Sequence, residues 1–99
     1  MIKVSTEAAN KFKETFNKSE NPDEKMIRVS IAGFGWGGPN FNLALDERKS
    51  NNDILVESNG IKVVYESEIE DYLENSVIDY SNRWFDKGFS IKNSKFGSC

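Results

Sequence analysis

The sequence predicts a mainly β fold with a flanking N-terminal helix, in the α+β class. The helix is indicated by Ala9, Phe12 and Phe16, whose spacing places them on one helical face. The strands are indicated by several short runs after residue 25 in which apolar and polar residues alternate. No repeat and no linker divides the 99 residues, so residues 1–99 are predicted to form a single domain.

The first elements are a short strand over residues 2–4 and the amphipathic helix. Ser5 or Thr6 offers an N-cap hydroxyl for that helix. Asn21 and Pro22 form a turn before which the helix has to end, because the residue preceding a proline is disfavoured in helical geometry. The three apolar residues on the helical face are therefore predicted to be core side chains.

The strands are predicted from alternation and from turn residues between them. Asn59-Gly60 separates two of the runs and favours a type I′ hairpin, since both positions of that turn need positive φ. Ser67-x-x-Glu70 matches a capping box for a short helix that ends at about Leu73. The alternating runs are residues 26–32, 41–45, 54–58, 61–65, 77–80 and 88–91, and residues 46–53 read as a polar loop.

The inventory of reactive residues excludes several chemistries. The chain has no histidine and one cysteine, Cys99, so no Ser-His-Asp triad, Cys-His pair or imidazole metal site can form. A single cysteine also excludes an intrachain disulfide and an all-cysteine zinc site within one chain.

Charge and hydropathy set further expectations. Thirteen basic and sixteen acidic residues are interspersed and give a net charge of −3, which argues against a nucleic-acid-binding protein. No apolar stretch reaches the length of a membrane span, and the N-terminus lacks a signal-peptide core. We therefore expect a cytoplasmic protein without membrane or nucleic-acid partners.

A glycine-rich segment carries a motif that is easily misread. Residues 33–38 satisfy G-x-G-x-x-G, but Pro39 and an alternating run follow, whereas a dinucleotide site needs a helix directly after the glycines. We predict a wide hairpin connection from Gly33 to Pro39. Trp36 stands among four glycines, which also leaves open a functional loop that anchors a partner.

Four further features are candidate sites. The carboxylates of residues 66–71 are predicted to form a solvated acidic face rather than a cation site, and Asp79 is predicted to accept backbone hydrogen bonds in a structural role. Trp84 and Phe85 are either a core pair or an exposed anchor. Cys99 is either an incidental thiol on a flexible tail, residues 93–99, or a ligand in a metal site shared between subunits.

The order of these pieces resembles the HesB/IscA family of A-type iron–sulfur cluster carriers. The likeness runs through Ile27-Arg28-Val29, Gly35-x-Gly37-Gly38, Phe41-x-Leu43, Asp53-Ile54, Gly60-Ile61-Lys62-Val63-Val64, Ile78-Asp79-Tyr80 and Gly88-Phe89-x-Ile91-x-Asn93. The resemblance implies a pseudobarrel of two small packed sheets, often assembled as dimers or tetramers. It also implies iron or a [2Fe–2S] cluster as cargo and iron–sulfur assembly or recipient proteins as partners.

Family ligands are three cysteines, one in the glycine loop and two in a C-terminal Cys-Gly-Cys. Carried over by position, the first falls on Trp36, within Gly35, Trp36, Gly37 and Gly38, and the C-terminal pair reduces to Cys99. The resemblance therefore implies a non-enzymatic protein of iron–sulfur cluster biogenesis with a degenerate ligand set, in which Cys99 is the remaining metal ligand.

Two alternatives to that function remain open at this stage. The string Gly-Phe-Gly-x-Gly-Gly-Pro is similar to a HesB-like subgroup in which x can be selenocysteine. If the natural residue 36 is selenocysteine or cysteine, the protein could be a redox protein that pairs residue 36 with Cys99. A TGG codon at that position of the native gene would contradict this. The other alternative is a non-enzymatic interaction module that uses the Trp36 loop.

Overall fold

The computed structural model of the protein describes residues 2–36, 38–83 and 86–93. Two helices, α1 (Thr6–Asn17) and α2 (Glu70–Leu73), and two 3₁₀ turns, Pro22–Glu24 and Ser67–Ile69, accompany the strands in these residues. The strands are β1 (Lys3–Val4), β2 (Met26–Gly35), β3 (Gly38–Asp46), β4 (Asp53–Ser58), β5 (Ile61–Glu66), β6 (Ser76–Arg83) and β7 (Asp86–Asn93).

The strands form two sheets. One has the order β1-β6-β7, with β1 parallel and β7 antiparallel to β6. The other has the order β3-β2-β5-β4, in which β2 and β5 are parallel and the outer pairs are antiparallel. The predicted mainly β fold with two small sheets and a flanking helix is confirmed. In the described part of the chain, the sheets do not close into a barrel.

Helix α1 begins and ends as its sequence predicts. Ser5 is the N-cap, and its Oγ accepts a hydrogen bond from the Ala8 amide at 3.1 Å. Ala9, Phe12 and Phe16 are buried, as the spacing of the apolar residues predicts. The helix ends at Asn17, before the Asn21-Pro22 turn. The choice left open between Ser5 and Thr6 is thereby settled in favour of Ser5.

The core lies between the helix and the two sheets. Helix α1 packs against β6 and β5, and its apolar side and strands of both sheets contribute the buried side chains. The buried cluster contains Ile2, Val4, Ala8, Ala9, Phe12, Phe16, Ile27, Val29, Ile61, Val63, Tyr65, Leu73 and Ile78.

The Asn59-Gly60 turn is confirmed. Asn59 has a φ of 52° and Gly60 a φ of 79°, as a type I′ turn requires. The register that follows pairs Ser58 with Ile61 and continues to Asp53 opposite Glu66.

The predicted capping box at Ser67 is wrong. Ser67 begins a 3₁₀ turn whose N-cap is Glu66, and α2 then begins at Glu70 after Ile69. Neither start has a side-chain capping bond. The Ser67 amide instead donates to the Asn52 carbonyl at 2.9 Å. The capping-box motif requires Ser67 to lie just before the helix as its N-cap. Ser67 is instead the first residue of the 3₁₀ turn that precedes α2.

Two predictions fall outside the described residues. Trp84 and Phe85 are among the residues not described, as are residues 94–99 of the predicted tail.

Candidate functional site

The glycine-rich segment forms the end of the β2–β3 hairpin. Strand pairing continues through most of it, with Gly33 opposite Asn40, Phe34 opposite Pro39 and Gly35 opposite Gly38. The predicted wide connection from Gly33 to Pro39 is therefore wrong. Since glycines show no apolar alternation, the sequence pattern does not reveal that they continue the strands. Gly38 has a φ of 114°, a conformation that side chains disfavour.

A strand follows the glycines, so the exclusion of a dinucleotide-binding motif is confirmed. The pairing register shifts between Ile31 and Gly33, and such an irregularity changes the direction in which the end of a hairpin projects.

The side chain of Trp36 is fully exposed at the end of this hairpin, with a relative accessibility of 108%. Phe34, on the same hairpin, is 66% exposed. The Phe34 ring contacts the Tyr72 ring of α2 edge to face, with 5.8 Å between centroids. We call Phe34 and Trp36 the aromatic tip. The packing of the core accounts for neither side chain.

The aromatic tip supplies no metal ligand. An indole N–H donates a hydrogen bond and has no lone pair to offer a metal ion. Within the described ranges, no group of three or more histidine, cysteine, aspartate or glutamate residues is placed to hold a metal. Cys99, the metal ligand that the sequence predicts, lies outside these ranges, as does Gly37. The hairpin therefore does not fit an iron or cluster site of its own.

The carboxylates of residues 66–74 are exposed, as predicted for Glu66, Glu68, Glu70 and Asp71. Two of these carboxylates, Glu70 and Glu74, affect the pKa of the buried Tyr65. The pKa of Tyr65 is raised, mainly by burial of its phenol and further by the charges of Glu70 and Glu74.

Asp79 has the structural role that its sequence position predicts. Its Oδ1 accepts hydrogen bonds from Ser5 Oγ at 2.7 Å and from the Tyr80 amide at 2.9 Å. The pKa of Asp79 is lowered by the Ser5 bond first and the Tyr80 bond second. The N-cap of α1 is in this way tied to β6.

Arg28 forms a charged cluster that sequence reasoning missed. Its guanidinium donates from Nη2 to Asp53 Oδ2 at 2.7 Å and from Nε to Asp46 Oδ2 at 2.6 Å. These bonds hold the pKa of Asp53 at about 2 and lower that of Asp46, while the pKa of Arg28 is raised. The sequence feature that could have indicated this cluster is Arg28 itself, the one charged residue in the alternating run 26–32.

The Arg28 cluster fixes the loop after β3. Arg28 Nη2 also donates to the Arg48 carbonyl at 3.2 Å, and the Ser50 amide donates to Asp53 Oδ2 at 2.8 Å. Since these contacts pair the charges with one another, we assign the cluster to the stability of the fold.

Comparisons with known proteins agree with this architecture. The family model described as "Iron-sulphur cluster biosynthesis" matches residues 1–96. The chain is 31% identical over 97 residues to the iron–sulfur cluster insertion protein ErpA of Shewanella denitrificans, covering 98% of this chain and 83% of that protein. It is 33% identical over 86 residues to ErpA of Histophilus somni, covering 87% and 75%.

Solved structures of low sequence identity share the fold. Escherichia coli SufA, described as involved in biosynthesis of iron–sulfur clusters, superposes with a TM-score of 0.79 at 19% identity, over 95% of this chain and 81% of SufA. A structure of IscA with the [2Fe–2S] cluster gives a TM-score of 0.74 at 19% identity, over 94% and 82%.

The two-sheet fold with its flanking helix, taken with the matching family model, places the protein in the HesB/IscA class. More particularly, this chain belongs to the iron–sulphur cluster biosynthesis family. These similarities favour iron–sulfur cluster biogenesis over the redox alternative and over a stand-alone interaction module. No helix among the described residues has the length and apolar character needed to cross a membrane.

Proposed function

We propose that this protein is a non-enzymatic component of iron–sulfur cluster biogenesis whose glycine hairpin supplies no ligand and whose cargo contacts depend on Cys99. The observation that carries the proposal is Trp36, fully exposed at the hairpin end where the family resemblance expects a cysteine. The relatives named as cluster insertion proteins and the IscA structure that holds a [2Fe–2S] cluster support iron or such a cluster as the cargo.

A non-enzymatic role is supported by the residues themselves. The sequence has no histidine and a single cysteine, so general base and nucleophile would have to come from other groups. The strongly shifted carboxyl of Asp53 is engaged by Arg28. We expect the protein to act in the cytoplasm and to interact with iron–sulfur assembly or recipient proteins.

Cys99 limits what one chain can hold. A [2Fe–2S] cluster or a tetrahedral iron takes four ligands, and a symmetric dimer of this chain offers two Cys99 thiolates. We therefore expect weak retention of iron by the protein alone, with a homodimer or tetramer required for any retention.

Anaerobic reconstitution with ferrous iron and sulfide, followed by desalting, tests this proposal. The proteins compared are the wild type, Cys99→Ser, Trp36→Cys and the matched control Trp36→Ser, with bound iron and visible absorbance as the readouts. We expect sub-stoichiometric iron on the wild type and none on Cys99→Ser. Trp36→Cys should retain several-fold more iron and gain cluster absorbance, while Trp36→Ser should match the wild type.

Two outcomes would contradict the proposal. Full cluster retention that survives Cys99→Ser would show ligands elsewhere in the chain. No gain on Trp36→Cys would show that the hairpin end is not a ligand position. Because Trp36 is fully exposed, these substitutions should leave the circular dichroism spectrum unchanged.

A further inference from the structure

The aromatic tip exposes two large rings that the fold does not need. Phe34 and Trp36 are the two most exposed large hydrophobic side chains among the described residues, and both are on the β2–β3 hairpin. Large exposed aromatic rings are typical of binding surfaces, because aromatic side chains contribute much contact area with little loss of conformational entropy.

The aromatic tip lies beside a strongly acidic surface. Phe34 contacts Tyr72, whose neighbour in α2 is Asp71. We call residues 66–74 the acidic segment, because it has five exposed carboxylates and no lysine or arginine. The hairpin adds no charge to balance them, since residues 29–45 include no charged side chain.

The negative potential of the acidic segment extends into the fold. The pKa of the buried Tyr65 phenol is raised mainly by its burial and further by the charges of Glu70 and Glu74. Because Phe34 contacts Tyr72, next to the exposed Asp71, the aromatic tip lies beside a negatively charged surface rather than a neutral one.

The aromatic tip and the acidic segment together indicate what kind of partner can bind. An anionic partner, such as nucleic acid or an anionic membrane, would be repelled by the acidic segment. A purely apolar partner would bury carboxylates without compensation, which is unfavourable. An arginine-containing segment satisfies both features, because guanidinium groups stack on the faces of aromatic rings and pair with carboxylates.

We propose that the aromatic tip and the acidic segment together form a docking surface for a basic, arginine-containing segment of a partner protein. This surface extends the proposed function without resting on it, since it does not involve Cys99. A failure to bind iron and a failure to bind a basic segment are therefore separate results.

Binding of fluorescently labelled peptides tests the proposal by anisotropy. The probes are a peptide of alternating arginine and glycine, its lysine–glycine counterpart and a glutamate–glycine peptide. The proteins are the wild type, Phe34→Ala/Trp36→Ala and Glu70→Gln/Asp71→Asn, with Glu14→Gln/Glu20→Gln as a control that removes two exposed carboxylates from another surface.

We expect the arginine peptide to bind the wild type more tightly than the lysine peptide, and the glutamate peptide not to bind. Loss of either the two rings or the two nearby carboxylates should raise Kd by about tenfold, a size typical of removing such stacking or charge contacts. The Glu14→Gln/Glu20→Gln control should leave Kd within about twofold of the wild type.

Two results would overturn the proposal. An unchanged Kd for Phe34→Ala/Trp36→Ala would show that the rings do not take part. An equal loss on the control variant would show that the peptide responds to net charge alone. Amide chemical shifts provide a second readout, and the largest changes are expected around Phe34 and Tyr72.

Discussion

At the scale of single residues, Arg28 is the side chain on which the 47–52 loop depends. Its partner Asp53 is almost completely buried, with 3% of its side chain exposed, whereas Arg28 itself is 24% exposed. The guanidinium meets both oxygens of Asp53, from Nη1 at 3.2 Å and from Nη2 at 2.7 Å. The planar guanidinium donates to both oxygens of the buried carboxylate at once, and a lysine ammonium cannot reproduce this two-bond geometry.

We predict that Arg28→Met destabilises the protein at neutral pH and that Arg28→Lys restores only part of the loss. Removing the cation leaves the Asp53 carboxylate buried without its partner, which costs more than the pair itself contributes. Urea unfolding of both variants measures this, with Arg48→Met as a control that removes an exposed arginine from the same loop. A loss on Arg48→Met as large as on Arg28→Met would contradict the prediction.

The same cluster sets a dependence of stability on pH. The folded pKa of Asp53 is about 2, below the value of about 4 expected in the unfolded chain. Its contribution is therefore present above about pH 4 and is lost as the pH falls toward 2. The free energy of unfolding of Arg28→Met should fall less steeply over this window, with a residual slope from Asp79, whose lowered pKa does not depend on Arg28.

At the scale of elements, α1 is joined to the three-stranded sheet through its cap. Ser5 Oγ accepts from the Ala8 amide and donates to Asp79 Oδ1, and the Ser5 amide donates to the Ile78 carbonyl at 2.9 Å. One hydroxyl thus caps the N-terminus of α1 and also bonds the helix to β6. Stacking of Phe12 on Phe89 of β7, with centroids 4.4 Å apart, adds a second contact between the helix and the three-stranded sheet.

We predict that Ser5→Ala costs about 1–2 kcal/mol of unfolding free energy, the upper part of the range for losing an N-cap, because the bond to Asp79 is lost as well. Thr6→Ala is the matched control, because Thr6 is the first helical residue rather than the cap, and it should change stability by less than about 0.5 kcal/mol. Urea denaturation followed by circular dichroism measures both. Equal losses would mean that the hydroxyl of Ser5 does not cap the helix.

The elements also show what the sequence could predict and what it could not. The helix and the strands were predictable because side chains such as Phe12 and Val29 are buried at the spacing of their element. The extent of the β2–β3 hairpin was not, because Gly33 and Gly35 have no side chains to alternate. The capping box failed because the motif does not distinguish a 3₁₀ turn at Ser67 from an N-cap.

The sequence predicted only those features of the candidate site that depend on residues close together in the chain. The exposure of Trp36 agrees with the interpretation of Trp36, set among four glycines, as part of a loop that could anchor a partner. The Arg28 cluster joins residues 18 and 25 positions apart, and the contact of Phe34 with Tyr72 joins two different elements. Such pairings depend on how the sheet and helices pack, which a pattern of neighbouring residues does not report.

At the scale of the whole molecule, the two-residue strand β1 connects the two sheets. It pairs parallel with β6, so that Val4 lies opposite Ile78 in the three-stranded sheet. The Val4 amide also donates to Ser58 Oγ at 3.0 Å, and its carbonyl accepts from Asn59 Nδ2 at 2.6 Å. Ser58 and Asn59 lie at the β4–β5 turn, so both polar groups of Val4 contact the four-stranded sheet.

We predict that Ser58→Ala/Asn59→Gly uncouples the two sheets. Glycine keeps the positive φ of the turn, so the substitutions remove the two bonds to Val4 without straining the hairpin. Two partly buried hydrogen bonds at about 1 kcal/mol each give a loss of about 2 kcal/mol. Amide hydrogen exchange should then show lower opening free energies for Ser5 and for β6, with smaller changes in β5.

Thr15→Ala is the control for this experiment, because its hydroxyl bonds the Lys11 carbonyl on the exposed side of α1 and touches neither sheet. Its exchange pattern should match that of the wild type. If Ser58→Ala/Asn59→Gly lowered the protection of β5 and β6 by the same amount, the sheets would still open as one unit, and packing of the shared core rather than the bonds of Val4 would be what couples them.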